Sequence, residues 1–312
     1  MKGLVIKSTG KNYLVKCDDS IYECVVRGKI RLKGFKSTNP IAVGDFVEFD
    51  GEHEVKSISK IYERQNHLVR KSVNLSKQQH VIASNIDLAI LIISEAQPIT
   101  SSAFIDRFLV SAEAFGIETN IVLNKWDLLN KEDREWAKLK LEYYSSLGYK
   151  TDIVSVETGE GVTDLKSSLS NKTVIFSGHS GVGKTSLLNK LQPGLKLRTG
   201  DISEIHDTGM HTTTHAEMIF TDFGARIIDS PGIKGFGLTG IDEKEIKNYF
   251  RDFRRYDNQC HFHNCIHISE PKCAVKSALE NNEILSSRYQ SYIDMIQQDD
   301  EGNHFRTNIY GG

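Results

Sequence analysis

The sequence predicts a multidomain chain. An N-terminal β-barrel of the OB type leads into a central α/β domain, and a mostly helical, metal-binding domain closes the 312 residues. Three observations predict this. Short strand-like runs broken by Gly, Asn and Asp fill residues 1–70. Apolar strand patterns and helical patterns alternate from Asp87 onward. Three cysteines and a histidine crowd into one stretch beyond residue 259. The expected boundaries are 1–70, 71–240 and 241–312.

Composition agrees with a folded chain: 39% of residues are hydrophobic and 26% charged. No stretch reaches the roughly 18–20 apolar residues of a membrane span. Met1-Lys2-Gly3-Leu4 opens a strand-like run without an apolar signal core. The expectation is a cytoplasmic monomer with no membrane partner. The net charge of −2 hides an asymmetry, because residues 1–80 carry 15 Lys and Arg against 9 Asp and Glu, whereas the remainder carries 24 against 32. A basic first module on an acidic remainder suits a nucleic-acid partner, and a merely solvated surface suits it as well.

In the first module, Tyr13–Cys17, Ile21–Val26 and Asp45–Phe49 read as short strands, with Cys17 and Cys24 as small core residues. Arg27, Lys29, Arg31 and Lys33 alternate with small or apolar residues, so one face of a strand would carry all four charges. Such a stripe on a barrel fits an RNA backbone, or guards an exposed strand edge. Residues 71–86 read as a linker.

The continuous apolar run Asp87–Ile93 is expected to be a buried parallel strand. Beyond it, helices at 101–116, 131–147 and 162–169 alternate with strands at 119–123, 150–154 and 173–177, and a further helix starts at Lys184. In a doubly wound sheet the ligand loops lie at the carboxyl ends of strands.

Two such loops carry chemistry. Gly178-His179-Ser180-Gly181-Val182-Gly183-Lys184-Thr185, followed by Ser186, is a phosphate loop between a strand and a helix. Its glycines let backbone N–H groups face the phosphates, Lys184 reaches the β- and γ-phosphates, and the Thr185 hydroxyl suits Mg²⁺. Asn124-Lys125-Trp126-Asp127 reads N-K-x-D. The Asp127 carboxylate can accept from N1–H and the 2-amino group of guanine, a donor pair adenine lacks. Ser155-Val156 follows the next strand, where a backbone N–H can read guanine O6. The nucleotide is therefore GTP or GDP. The guanine motif precedes the phosphate loop, the reverse of the ordinary GTPase order, so the central domain is expected to be a circularly permuted P-loop GTPase.

Further on, His211-Thr212-Thr213-Thr214 holds the first switch position, with Thr213 taken as the threonine that binds Mg²⁺. Asp229-Ser230-Pro231-Gly232 holds the second, with Asp229 near Mg²⁺ and the Gly232 N–H on the γ-phosphate. The residue after Gly232 is Ile233, where many GTPases carry a water-orienting Gln. His211 is the candidate substitute, alongside Lys184 and Thr213 in catalysis, or else a structural switch residue. In an unpermuted chain, residues past Gly232 would run on into the strand at 87–93. Here that link is cut, and both flanking modules hang on the new termini.

Cys260-x4-Cys265-x-His267-x5-Cys273 offers three thiolates and an imidazole, the ligand set of a closed structural Zn²⁺ site. His261 and His263 are alternative ligands. Flanking helices are expected at 242–256 and 275–297. Phe250–Tyr256 mixes arginine with aromatics, which suits RNA stacking or an amphipathic helix packed on the GTPase core equally.

Taken together, Arg27-Gly28-Lys29, Asn124–Asp127, Gly178–Ser186, His211–Thr214, Asp229–Gly232 and the Cys/His ligands make the whole chain resemble the bacterial small-ribosomal-subunit biogenesis GTPases of the RsgA (YjeQ) family. That resemblance implies a GTPase that binds the late-assembling small subunit, contacts its rRNA, is stimulated by it and leaves after hydrolysis. It departs from the family at His179, where Asn or Gln is usual, and at Thr185, where Ser is frequent. A nucleotide-switched RNA-binding scaffold or a stress sensor remains the alternative reading.

Overall fold

The computed structural model describes residues 1–26, 40–50, 54–71, 79–195, 216–229, 238 and 240–297. Among these, no helix is long and apolar enough to cross a membrane.

Five strands build the barrel: β1 (Lys2–Ser8), β2 (Asn12–Cys17), β3 (Ser20–Val26), β4 (Phe46–Asp50) and β5 (Lys56–Ile61). They follow the order 1-2-3-5-4, with β3 parallel to β5, and the β1–β4 pairing closes the ring. This is the closed five-stranded barrel expected of an OB fold. Alternation places Val5, Tyr13, Val15, Cys24, Val47, Phe49 and Ile58 inside. Gly3 faces the same interior, where a Cβ would lie 2.5 Å from Val15 Cγ1 and 2.9 Å from Phe49 Cε1. Of the two barrel cysteines, Cys24 is buried and Cys17 is only half-buried.

The segment read as a linker carries regular structure. Residues Gln79–Ser84 (β7) pair antiparallel with His67–Lys71 (β6), as a two-stranded ribbon. Its polar termini masked the strand signal of Val81-Ile82-Ala83. The junction is held by Asp45, which is fully buried. Its carboxylate accepts from Arg64 Nε and Nη2 at 2.6 Å each, from Ser84 Oγ at 2.6 Å and from the Ala42 N–H at 2.8 Å. A buried carboxylate needs this many donors to offset its desolvation.

The central sheet runs β10-β9-β8-β11-β13-β12. Its strands are β8 (Leu88–Ser94), β9 (Thr119–Asn124), β10 (Lys150–Ile153), β11 (Thr173–Ser177), β12 (Glu217–Phe220) and β13 (Arg226–Asp229). All are parallel except β12. Every residue of β8 is buried, as expected for a central strand covered on both faces. Helices α1 (Ser102–Ala114), α2 (Lys131–Ser146), α3 (Val162–Leu169) and α4 (Lys184–Leu191) fall where the sequence places them. Ser101 caps α1 by accepting from the Phe104 N–H, and Asn130 caps α2 by accepting from the Asp133 N–H. The barrel joins this sheet edge to edge. Lys7 of β1 pairs with Glu217 of β12, and their side chains form an ion pair at 2.9 Å.

The C-terminal region departs from the two long helices expected. Residues 242–256 form a 3₁₀ segment over Glu243–Tyr249 and a short helix α5 (Arg251–Arg254), separated by extended Phe250. Residues 275–297 split into α6 (Ala274–Glu280) and α7 (Ser286–Gln297). Asn282, at a φ of 59°, breaks the helix as a left-handed Asn does at a helix end. Breaking both helices lets Phe250, Phe253, Ile284 and Tyr292 reach one core around the cysteines.

Within Phe250–Tyr256 the aromatic faces are spent on packing. Phe250 and Phe253 are fully buried and stack at 4.9 Å. Arg251 and Arg254 both bind Glu113 of α1, at 2.6 and 2.7 Å. The amphipathic reading of this segment therefore holds over the RNA-stacking one.

Candidate nucleotide and metal sites

The strand ends assemble the nucleotide motifs. Asn124 ends β9 fully buried, and its Nδ2 donates to Val182 O of the phosphate loop at 2.9 Å. That bond joins the guanine motif to the phosphate loop. Gly183 lies at the same contact with a φ of 92°, and a Cβ there would meet Asn124 Nδ2 at 2.4 Å. Only glycine fits both the left-handed backbone and the close approach.

Lys125 takes a left-handed φ of 64°, which turns the loop so that Asp127 faces the end of β10. Asp127 Oδ1 accepts from Ser155 Oγ at 2.5 Å, and Ser155 Oγ accepts in turn from the Thr158 N–H at 3.1 Å. The Asp127 carboxylate is thereby oriented while its other oxygen stays available to a base. Trp126 is buried, with the Arg134 guanidinium 5.0 Å over its ring, and Val156 is half-buried beside Ser155.

In the phosphate loop, Gly178, Gly181 and Gly183 all take positive φ. Lys184 Nζ folds back onto Gly178 O and His179 O, at 2.7 and 2.8 Å. Thr185 and Ser186 occupy the first turn of α4, half-buried. Ser180 is exposed at the loop tip. Asp229 ends β13 opposite Glu217 of β12. Burial, and then the Glu217 carboxylate, raise the Asp229 carboxyl above its ordinary range, which disfavours its ionised form; a cation beside it would act in the opposite direction.

Arg27, Lys29, Arg31, Lys33, His211, Thr213 and Gly232 lie outside the described residues. The sequence reading passed over the β8–α1 connection. Lys125 Nζ donates to Gln97 O at 2.7 Å, a Cβ on Gly181 would sit 3.0 Å from Pro98 Cγ, and Thr100 Oγ1 lies 2.7 Å from His179 Nε2. This connection buttresses both nucleotide motifs, and no motif in its sequence announces that.

The second cluster draws together all four ligands of the Cys/His pattern. Their donor atoms lie within 4.8 Å of one another. His267 Nδ1 stands 3.6, 3.5 and 3.3 Å from the sulfurs of Cys260, Cys265 and Cys273, and Cys260 Sγ stands 3.9 Å from Cys273 Sγ. A tetrahedron with Zn–S near 2.3 Å and Zn–N near 2.05 Å has edges of about 3.6 Å for S···N and about 3.8 Å for S···S, so the donor set fits zinc. His261 and His263 are exposed and outside the cluster. The loop is pinned from three sides: Lys247 Nζ donates to Cys265 O at 2.7 Å, Tyr289 to His267 O at 2.6 Å, and Tyr292 to Ile266 O. Those supports hold the ligands in place and were not legible as spacing.

Comparison with known proteins agrees with this architecture. The RsgA GTPase family model matches residues 61–239, and the RsgA N-terminal domain model matches residues 2–58. A Christiangramia forsetii protein named small ribosomal subunit biogenesis GTPase RsgA is 48% identical, covering 99% of both chains. A protein of the same name from Flavobacterium psychrophilum is 50% identical, over 99% of this chain and 96% of its own. Among solved structures, YjeQ from Thermotoga maritima superposes with a TM-score of 0.77 at 36% identity, covering 95% of this chain and 97% of that one. YloQ, described as a circularly permuted GTPase, superposes with a TM-score of 0.74 at 30% identity, covering 97% and 96%. The reversed motif order has its counterpart in a neighbour described as a circularly permuted GTPase, and the chain belongs to the RsgA GTPase family as a GTP hydrolase.

Proposed function

We propose that this chain acts in late maturation of the small ribosomal subunit, binding it in the GTP state, contacting its rRNA and leaving after hydrolysis to GDP and phosphate. The observation that carries the reading is the Asn124–Val182 bond, which unites a guanine-reading motif and a phosphate loop 58 residues apart in reversed order. The names of full-length relatives supply the subunit as partner.

The roles follow from chemistry. Asp127, with Asn124, Lys125, Trp126, Ser155 and Val156 around it, selects guanine. Gly178–Ser186 hold the phosphates, with Lys184 neutralising charge that develops on the γ-phosphate. Thr185 and Thr213 are assigned to Mg²⁺, with Asp229 and Gly232 in the second switch. His211 is assigned to positioning the attacking water, because Ile233 has no polar atom for it. Cys260, Cys265, His267 and Cys273 are assigned to one structural Zn²⁺. Arg27, Lys29, Arg31 and Lys33 are assigned to rRNA, on a barrel whose N-terminal region is basic. The proposed domains are residues 1–70, 71–240 and 241–312, and the proposed setting is a monomer in the cytoplasm.

GTP turnover with and without purified small subunits tests the reading. Stimulation by the subunit is expected, together with co-sedimentation of a GTP-locked form. An unchanged rate would favour a nucleotide-switched RNA scaffold or stress sensor. His211→Ala should lower turnover with GTP affinity intact, and equal turnover removes His211 from catalysis.

A further inference from the structure

The ring of His179 in the phosphate loop is half-buried and has a partner at each nitrogen and against its edge. Nδ1 lies 2.9 Å from Ser180 O, Nε2 lies 2.7 Å from Thr100 Oγ1, and the ring packs edge-on against Phe104 at 5.6 Å. Phe104 belongs to the first turn of α1, so the ring ties the phosphate loop to the start of that helix.

The hydrogens of this chain of bonds are assigned by their partners. Ser180 O can only accept, so Nδ1 carries the hydrogen. The Ser94 N–H donates to Thr100 Oγ1 at 2.9 Å, which leaves the Thr100 hydroxyl hydrogen free to point at Nε2. Ser94 N–H to Thr100, Thr100 O–H to His179 Nε2, and His179 Nδ1–H to Ser180 O then run in one direction. The neutral ring with hydrogen on Nδ1 satisfies all of them. A second ring hydrogen on Nε2 would reverse the middle bond: Thr100 Oγ1 would have to accept from the ring as well as from the Ser94 N–H and turn its own hydrogen away, beside a ring whose new charge faces Lys184 and Lys125.

The same residue touches the catalytic lysine. His179 O accepts from Lys184 Nζ, the group that must swing onto the phosphates when nucleotide enters. Pro98 lies under Gly181, and Gln97 O holds Lys125. One short connection, Gln97–Thr100, thus braces the phosphate loop and the guanine loop together, and His179 is its side-chain link to the former.

The geometry points to neutral His179 as a positioning residue for GTP: through Thr100 it fixes the phosphate loop in its binding shape, so that nucleotide affinity weakens when the ring is protonated. The inference rests on the GTPase reading of the same site. The groups facing the ring agree with a neutral form. Lys184 from α4 and Lys125 from the loop after β9 bear positive charge toward it. The β8–α1 connection presents Thr100 and Phe104, which carry none, and Lys140 of α2, at 3.3 Å from Thr100 O, is paired with Glu95 at 2.8 Å. Burial first, opposed by the Ser180 bond and helped by the two lysines, lowers the His179 pKa below its ordinary value. The neutral form therefore dominates at neutral pH, and its protonated form grows only as pH falls below the ordinary histidine range.

The test measures affinity for a fluorescent GDP in the full-length chain across pH. His179→Gln is the rescue variant, because its amide oxygen can accept from Thr100 and its NH₂ can donate to Ser180 O without titrating. His179→Leu and Thr100→Val each delete the middle bond. At neutral pH the two deletions should each weaken binding by about 3- to 10-fold, the worth of one hydrogen bond, and the double variant should be no weaker than either alone. Wild type should lose affinity relative to His179→Gln as pH falls from about 7 to about 5.5, with the nucleotide's own titration common to both. Superimposable pH profiles for wild type and His179→Gln overturn the proposal. So does tighter wild-type binding at low pH, which would mean that the phosphates merely attract a cationic ring. A wild-type chain that binds no guanine nucleotide at neutral pH would instead overturn the GTPase assignment itself.

Discussion

Arg288 Nη1 lies 2.7 Å from Asp106 Oδ1, although 182 residues separate them. Arg288 sits on α7 beside the metal cluster and Asp106 on α1 of the GTPase domain. The guanidinium also binds Asp252 through Nε and Nη2, at 3.1 and 2.8 Å, and it is 1% exposed. Tyr144 and Tyr143 complete the network, donating to Asp106 and Asp252 at 2.7 and 3.0 Å. Burial and then the Asp252 carboxylate raise the Tyr143 hydroxyl far above its ordinary range, which keeps it a donor. The C-terminal module is therefore anchored to the GTPase domain through α1, as well as through its covalent link past the second switch.

Breaking this anchor should be costly. Arg288→Met leaves two buried carboxylates without their cation and should lower stability by about 3–5 kcal/mol in urea unfolding. Retained stability would mean that one of the tyrosines, or water, satisfies the carboxylates unaided.

Gly183→Ala should separate the two nucleotide motifs. The added Cβ would meet Asn124 Nδ2 at 2.4 Å, on a backbone whose φ of 92° already disfavours alanine. The Asn124–Val182 bond is expected to break, and GTP affinity to fall by about 5- to 150-fold, since strain of about 1–3 kcal/mol attaches to such a backbone. Isothermal titration with GDP measures it. Retained affinity would show that the bond is incidental to binding.

How much of this was legible in sequence differs by part. The nucleotide motifs were fully legible, because a phosphate loop and N-K-x-D carry their chemistry in contiguous residues between a strand and a helix. The barrel was legible as short strands, whereas its closure by β1 and β4 depends on pairing distant in sequence. Strand β7 was read as linker because its ends are polar. The helix breaks near Phe250 and Asn282 were missed because local helical pattern yields there to the need to bury aromatics around the metal loop. Arg288 gives no sequence signal at all. A lone arginine on an amphipathic helix reads as solvent-facing until the partners Asp106 and Asp252 are placed.

Asp127→Asn should change which base is bound. The carboxylate is oriented by Ser155 Oγ at 2.5 Å and otherwise presents only acceptors. An amide there turns one acceptor into a donor, which faces the N–H groups of guanine but suits a base with a carbonyl at that position. GTP affinity should fall by about 1.5–3 kcal/mol, the worth of a hydrogen bond to a charged group, and xanthosine triphosphate should bind better than GTP. Competition between the two nucleotides measures the switch. Unchanged preference would place base recognition on the backbone near Val156 instead.

Zinc removal should unfold one module and spare the other. The metal loop between Gln259 and Ala274 contains no strand or helix, and its order comes from the four donors and from the bonds of Lys247, Tyr289 and Tyr292 to its carbonyls. Cys265→Ser replaces a thiolate with a weaker ligand inside a site whose S···N separations, and whose Cys260–Cys273 separation of 3.9 Å, match zinc. One zinc per chain should be lost on mass analysis, and near-ultraviolet signals of Tyr289 and Tyr292 should weaken. Nucleotide binding should persist, because β8, β11 and the phosphate loop draw their packing from a separate core. The Arg288 network sets the limit on that independence: if α7 melts with the metal loop, Asp106 loses its cation and α1 loosens. Combining Cys265→Ser with Arg288→Met therefore distinguishes the two routes. Destabilisation that does not exceed the larger single effect would mean that the metal holds the GTPase domain through α7, whereas additive losses would mean that metal loop and ion network act separately.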